Sequence, residues 1–170
     1  MTSFVALLRA VNVGGTGKLP MTDLKAMCEQ AGFESVRTYI ASGNVVFESG
    51  KTGAQVKAAL EKLLAAYAGK PVGVMVRTAA EMARVLAANP FPDAAPNRTV
   101  AIFLDQAPPA DTIARASGRA SEEIALGSRE VYVHYGAGMA NSKLTLPVQK
   151  EGTARNMNTI ARLAQMAGAA

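Results

Sequence analysis

Apolar positions along the chain fall into short blocks, and the spacing within them changes from block to block. "SFVALLRA" (3–10) is a brief apolar run closed by a glycine-rich stretch, which predicts a buried strand. Residues 21–31 place Leu24, Met27 and Cys28 at helical spacing, and Gly32 is positioned to stop that helix. "SVRTYIASGNVVFES" (35–49) reads as two strands broken by a tight turn at Ser42-Gly43-Asn44. From 53 to 68, Val56, Leu60, Leu63, Leu64 and Tyr67 make one helical stripe. "PVGVMVRT" (71–78) predicts a fourth strand and 79–88 a further helix. Strand, helix, strand, strand, helix, strand is the ferredoxin-like order.

"NPFPDAAPN" (89–97) carries three prolines and no periodicity, so it reads as a linker between a lobe at 1–88 and another at 98–170. The pattern then restarts. Residues 98–105 predict a strand, 108–117 a helix with proline in its first turn, and 122–136 a second strand pair. A last helix is expected over 154–167, capped by Thr153, with Met157, Ile160, Leu163 and Ala164 inward. "IASGNVVF" and "IALGSREVYV" share an apolar run, a glycine turn and an apolar run. That echo implies an internal duplication of about eighty residues. The expected architecture is therefore α+β: two tandem ferredoxin-like lobes with antiparallel sheets, the second copy degenerate.

Composition narrows the chemistry. At 170 residues the chain can bury a core without staples, and a single cysteine, Cys28, excludes an internal disulfide or a thiolate metal cluster. No leader pattern opens the sequence and no apolar stretch reaches the ~20 residues of a membrane span, so a cytoplasmic protein is expected, with no membrane partner. The net charge is +5, but the basic residues are scattered, unlike a nucleic-acid-binding tail.

"RAVNVGGTGKLPM" (9–21) poses the main functional question. It fails the P-loop pattern, because Asn12 stands at the first glycine position and Leu19 follows Lys18. It also fails the dinucleotide fingerprint, whose third glycine is replaced by Pro20. What remains is general: Gly14 and Gly15 permit positive φ, so successive N–H groups could converge on an anion, with Pro20 starting the helix and Asp23 in its first turn. A plain strand-to-helix turn reads the same way. Near the other end, Arg155 is expected in the first turn of the last helix, where a cation opposes the dipole. Either Glu151 or a bound phosphate or carboxylate, held with Asn156 and Asn158, would relieve that conflict.

The blocks "ALLRAVNVGG", "RTYIASGNVVFES" and "TARNMNTIARL" resemble the signatures of a mainly bacterial family catalogued as domain of unknown function 1697. The resemblance implies a duplicated ferredoxin-like α+β fold and no established activity. It maps onto Arg9, Asn12, Gly14 and Gly15; onto Ser42, Gly43 and Asn44; and onto Arg155, Asn156, Asn158 and Thr159. Ala10 departs from a common glycine and Met157 from a common tryptophan, and the stretch from Leu146 to Thr153 looks shortened.

Other constellations are thin. Cys28 lies on an apolar helical stripe and His134 is the only histidine, so neither a Cys–His pair nor a histidine metal site is expected, and no metal or cofactor is implied. Phe4 and Phe47 alone make a poor base-stacking platform, so nucleic acid is not the expected partner. Three readings stay open. The first is a small-ligand or anion-binding module, phosphate- or nucleotide-like, using Arg9, Asn12, Gly14, Gly15, Lys18, Ser42, Asn44, Arg155, Asn156 and Asn158. The second is an enzyme on a phosphorylated substrate in the same cleft, and the third an Asn/Arg network that only joins the lobes. The sequence leaves catalysis and oligomeric state open.

Overall fold

The computed structural model describes residues 1–11, 18–136 and 138–168. The elements run β1 (Thr2–Leu8), α1 (Met21–Gln30), β2 (Glu34–Thr38), β3 (Asn44–Ser49), α2 (Gly53–Ala68), β4 (Val74–Thr78) and α3 (Ala79–Ala87). They continue as β5 (Thr99–Phe103), β6 (Glu123–Leu126), β7 (Glu130–His134), β8 (Thr153–Asn156) and α4 (Met157–Gly168). Short 3-10 turns occupy Pro96–Arg98, Met139–Asn141 and Pro147–Lys150. The class is α+β, with two four-stranded antiparallel sheets ordered β2-β3-β1-β4 and β6-β7-β5-β8.

The chain divides into two compact units, Met1–Ala83 with Leu163–Ala170, and Arg84–Arg162. Residues 84–88 and 163–168 thus group differently from lobes split at a 89–97 linker. No helix of the described residues is long and apolar enough to cross a membrane.

In the first unit, one face of the sheet presents Phe4, Ala6, Leu8, Val45, Phe47 and Val74 to Leu24, Met27 and Cys28 of α1 and Val56, Leu60 and Leu64 of α2. Phe33 stacks on Phe47 with ring centroids 4.3 Å apart. These rings are core, so Phe4 and Phe47 offer no surface to a base. Helix ends follow local chemistry. Thr52 and Gln55 form a reciprocal capping box at the start of α2, and Gly69 closes it in a left-handed conformation. After α1, Phe33 N donates to Cys28 O and Gly32 N to Glu29 O, a Schellman arrangement that needs Gly32 at φ +88°. Tyr67 departs from the expected stripe: it is 47% exposed, and its hydroxyl donates to Asp23 Oδ2 at 2.8 Å.

The opposite face carries the row Arg37, Val46, Val5 and Arg77 across β2, β3, β1 and β4. The last turn of α4 is fastened to this unit's strands. Ser3 Oγ donates to Ala167 O and Arg37 Nη1 to Met166 O, satisfying carbonyls the helix leaves without partners.

The second unit differs from expectation at two helices. Residues 108–117 form turns, not an α-helix: Thr112 N bonds Pro109 O, Arg115 N bonds Asp111 O, and the chain then joins Thr145 through a bridge at Ser117. One isoleucine, Ile113, is too little apolar surface to hold so short a helix against a sheet. Leu144, Leu146 and Val148 cover the Val100, Ile102, Val131 and Val133 face instead. The last helix also starts later than expected. Thr153–Asn156 pair with Val100–Phe103 as an edge strand, so Thr153 is not the cap and Arg155 is not in the helix.

Candidate functional site

Three connections meet where β1 and β2 finish and β3 and β4 begin. Leu8 N donates to Gly43 O at 2.8 Å, and Arg9 N donates to Gly73 O at 2.9 Å. Val11 and Leu19 are both buried in the first unit's core, so the chain leaving β1 is pinned before and after residues 12–17. Asn12, Gly14 and Gly15 lie outside the described residues. Lys18 is exposed and Arg9 half-buried. The aliphatic stem of Arg9 lies against Gly73, where a Cβ would come within 3.4 Å of Arg9 Cβ.

The Ser42–Asn44 turn is held by its own polar atoms. Asn44 is fully buried; its Nδ2 donates to Tyr39 O and to Ser42 Oγ, each at 2.9 Å, and its carbonyl accepts from Tyr39 N. Those bonds give Asn44 and Ser42 a task in shaping the turn. Gly43 sits at φ +88°, and a Cβ there would lie 2.6 Å from Val11 Cγ2.

Of the three described non-glycine residues with positive φ, Ser35 lies at the start of β2 and the other two lie at this end of the sheet. Ala10 has φ +55° and Ile40 φ +49°, in the left-handed region that L side chains rarely adopt. Ala10→Gly should therefore stabilise the protein by about 1 kcal/mol, raising Tm by about 2–4 °C. A scanning calorimetry trace with unchanged or lower Tm would refute that.

The charge of these connections is one-sided. Segments 9–20, 39–43 and 69–73 contain Arg9, Lys18 and Lys70 and no Asp or Glu. The neighbouring Asp23 accepts the Tyr67 hydroxyl. Gly73 escaped sequence reasoning because only the β1–β4 pairing brings it beside Arg9, and Lys70 precedes it by three residues in the same connection.

The second group of expected residues lies in the second unit. Arg155 is 8% exposed, on β8 opposite Ala101. Its Nη1 donates to Thr153 Oγ1 at 2.6 Å and to Ala154 O at 2.9 Å. Burial lowers its pKa to about 10. Asn156 caps α4, its Oδ1 accepting from Thr159 N at 2.9 Å, and Asn158 is exposed. The expected conflict between Arg155 and the helix dipole does not arise, since Arg155 precedes the cap.

A parallel corner exists in the first unit. Arg77 is 1% exposed on the last strand of its sheet, and its Nη1 donates to Val76 O at 3.1 Å. Thr78 follows as the cap of α3, in reciprocal bonds with Glu81. "VRTAAEM" and "ARNMNTI" place arginine, cap and helix identically, a signal available in the sequence but not used.

The remaining groups offer little for catalysis. Burial, with a smaller contribution from Glu29, pushes the Cys28 thiol up to about 12, which removes it as a nucleophile near neutrality. Glu122 accepts from Ser142 Oγ at 2.5 Å and Ala120 N at 2.6 Å, and these bonds hold its pKa below the usual carboxylate range, making it a poor base. His134 Nδ1 lies 3.4 Å from Thr99 Oγ1. Among the described residues no three His, Cys, Asp or Glu side chains group as metal ligands would.

The family model for proteins of unknown function DUF1697 matches residues 1–132. The chain belongs to this family. A solved structure similar to this DUF1697 protein is that of the conserved bacterial protein SP0830 from Streptococcus pneumoniae, with 24% identity and a TM-score of 0.81, over 97% of this chain and 98% of that one. That likeness concerns the fold. No curated protein matches the chain. The DUF1697 match takes in the first two signature blocks and ends before the third, at 153–163. The two departures from the expected signatures acquire physical meaning. Ala10 occupies a left-handed position that glycine suits, and Met157 is 3% exposed, so a large apolar residue there is core and not a stacking surface.

Proposed function

We propose that this DUF1697 protein is a small-anion-binding module whose site lies where β1 ends in the first unit. The observation that carries the reading is the meeting of three acid-free connections bearing Arg9, Lys18 and Lys70. Local backbone strain supports it, because left-handed non-glycine residues concentrate at ligand clamps. Arg9 and Lys18 supply charge; Asn12, Gly14 and Gly15 supply amide and backbone N–H donors; Ser42 and Asn44 fix the adjoining turn. A phosphate-type anion fits donors of this kind. An enzymatic role would need a proton-transfer group, and among these side chains only the lysines could serve as one.

Arg9→Gln should weaken binding of pyrophosphate about tenfold, the scale of one lost charge-assisted contact. Isothermal titration of the full chain measures it. Equal affinity in wild type and variant, or no heat with either, would remove the proposal.

A structural reading is favoured in the second unit. Arg155 and Asn156 spend bonds on Thr153, Ala154 and Thr159, which points to shaping of the β8–α4 corner, with exposed Asn158 left for solvent or ligand. We also infer that the halves are ferredoxin-like copies of one unit, the second having lost its crossover helices. Shared strand order supports this, as do matching bonds: Leu8 N to Gly43 O and Leu104 N to Arg129 O, then Tyr39 N to Asn44 O and Gly127 N to Glu130 O. The arginine–cap–helix corners at Arg77 and Arg155 correspond in the same way.

A further inference from the structure

The two sheets end in four outer strands, β2, β4, β6 and β8. Three of them are closed to a further strand. On β4, Val74 O accepts from Lys57 Nζ and Val76 O from Arg77 Nη1, while Thr78 N donates to Glu81 Oε1. On β8, Ala154 O accepts from Arg155 Nη1. β2 is broken by a register shift between Glu34 and Arg37, with Ser35 at φ +53° and its carbonyl accepting from Arg37 Nε. Bulges and edge-covering side chains of this kind stop sheets from pairing edge to edge. β6 differs. Its register with β7 runs without a shift from Glu123↔His134 to Leu126↔Val131. Gly127 N donates to Glu130 O, so by alternation Ala125 bonds β7 and the N–H and C=O groups of Ile124 and Leu126 turn away from it. Among the described residues no hydrogen bond reaches those outward groups. The strand, Glu-Ile-Ala-Leu, holds no lysine or proline. Leu126 is 38% exposed, and Ile124 packs against the face that carries Val131 and Val133.

We propose that β6 is the contact surface between two copies of this chain, which pair antiparallel through it about a two-fold axis at Ala125. The strand is self-complementary. Two-fold pairing sets Ala125 against Ala125 and Ile124 against Leu126 of the second copy. Ile124 and Leu126 both point their backbone groups outward, so both pairs exchange N–H···O=C bonds. Their side chains share one face of the strand, so the surface exposed at Leu126 is covered by Ile124 of the second copy. Charge matches as well. The strand opens with exposed Glu123 and runs into a turn bearing Arg129. Antiparallel pairing brings each Glu123 alongside the other copy's turn and keeps the two Glu123 carboxylates at opposite ends. A foreign extended peptide would satisfy the same backbone groups without these reciprocal matches. The surface belongs to the second unit and is independent of the anion-binding reading.

So short a strand makes a small interface, and a dimer Kd on the order of 100 μM is expected. Sedimentation equilibrium of the full chain over concentrations spanning that value should show monomer and dimer in exchange. Leu126→Pro removes an outward N–H that β7 does not use, and Leu126→Lys places a charge on the edge. Each should weaken dimerisation about tenfold or more while leaving the far-ultraviolet circular dichroism spectrum unchanged. In wild type, amide hydrogen exchange at Ile124 and Leu126 should slow as protein concentration rises, whereas Ala125, already bonded to β7, should change less. A chain that stays monomeric at the highest concentration would overturn the assignment. So would a dimer of undiminished affinity in the folded variants, or exchange at Ile124 and Leu126 that ignores concentration. The exchange measurement decides the matter on wild type even if neither variant folds.

Discussion

Replacing Gly43 by alanine is expected to lower stability by on the order of 3 kcal/mol, or about 6–12 °C in Tm for a chain of this size. Two costs combine. At φ +88° an L side chain is strained whatever the space around it, and the added Cβ would lie 2.6 Å from Val11 Cγ2 and 2.9 Å from Leu8 Cβ. Neither neighbour can yield easily. Leu8 and Val11 are 1% and 6% exposed, and the Leu8 contact is at Cβ, tied directly to the strand backbone. The same substitution would loosen the Leu8 N to Gly43 O bond that joins the β2–β3 turn to the end of β1. Anion affinity should therefore fall along with stability. Urea unfolding monitored by circular dichroism gives the first quantity, and Ala10→Gly, expected to move stability the other way, serves as the control. A midpoint for Gly43→Ala equal to wild type would mean that the turn is not built as described.

The first sheet was legible because its residues announce themselves locally. Leu24, Met27 and Cys28 sit at helical spacing with Gly32 behind them, and the break at Ser42-Gly43-Asn44 separates β2 from β3 where expected. The second half was less legible for a physical reason. Its sheet is covered by turns carrying Leu144, Leu146 and Val148, and such segments have no period to read. Residues 108–117 offer prolines suited to a helix's first turn and three alanines, but propensity without an apolar stripe does not fix a helix. Arg155 was misplaced because Thr153, a residue type that often caps helices, precedes it. Pairing of β8 with β5 carries the chain three residues further before Asn156 takes that task.

The candidate site divides along the same line. Arg9 and the 42–44 turn lie in two different signature blocks and do meet at one sheet end. Lys70 and Gly73 belong to that end only through long-range pairing of β1 with β4, which no local pattern encodes. The polar residues of the turn prove to be bonded to one another. Sequence alone cannot distinguish an asparagine that holds a ligand from one that holds its own loop, since both roles use the same amide.

Alkaline pH should destabilise the protein, with a first stage attributable to one thiol. Burial, aided by Glu29, raises the Cys28 pKa from 9.0 to about 12, and burial raises Tyr132 from 10.0 to about 12. In the unfolded chain the thiol releases its proton near pH 9, whereas the folded chain keeps it. Between pH 9 and pH 12 the native state thus binds more protons, so stability falls as pH rises. The stabilisation is complete below pH 9 and lost as pH passes through the native value. Each tenfold change in proton affinity is worth about 1.4 kcal/mol, so the full effect of Cys28 is on the order of 4 kcal/mol. Tyr132, whose hydroxyl donates to Val85 O at 2.8 Å, adds a loss that begins only near pH 10. Arg155 works in the opposite direction. Its native pKa is lowered from 12.5 to about 10, so above pH 10 the unfolded chain binds the extra proton and stability gains. Tyr67 and Tyr135 are raised from 10.0 as well, so the thiol dominates the interval from pH 8 to pH 9.5. Across it, wild type should lose about 0.8 kcal/mol in urea unfolding, while Cys28→Ala, whatever its starting stability, should show a nearly flat profile. Parallel slopes in the two proteins would show that Cys28 ionises as freely in the fold as out of it, contradicting its burial between α1 and the first sheet.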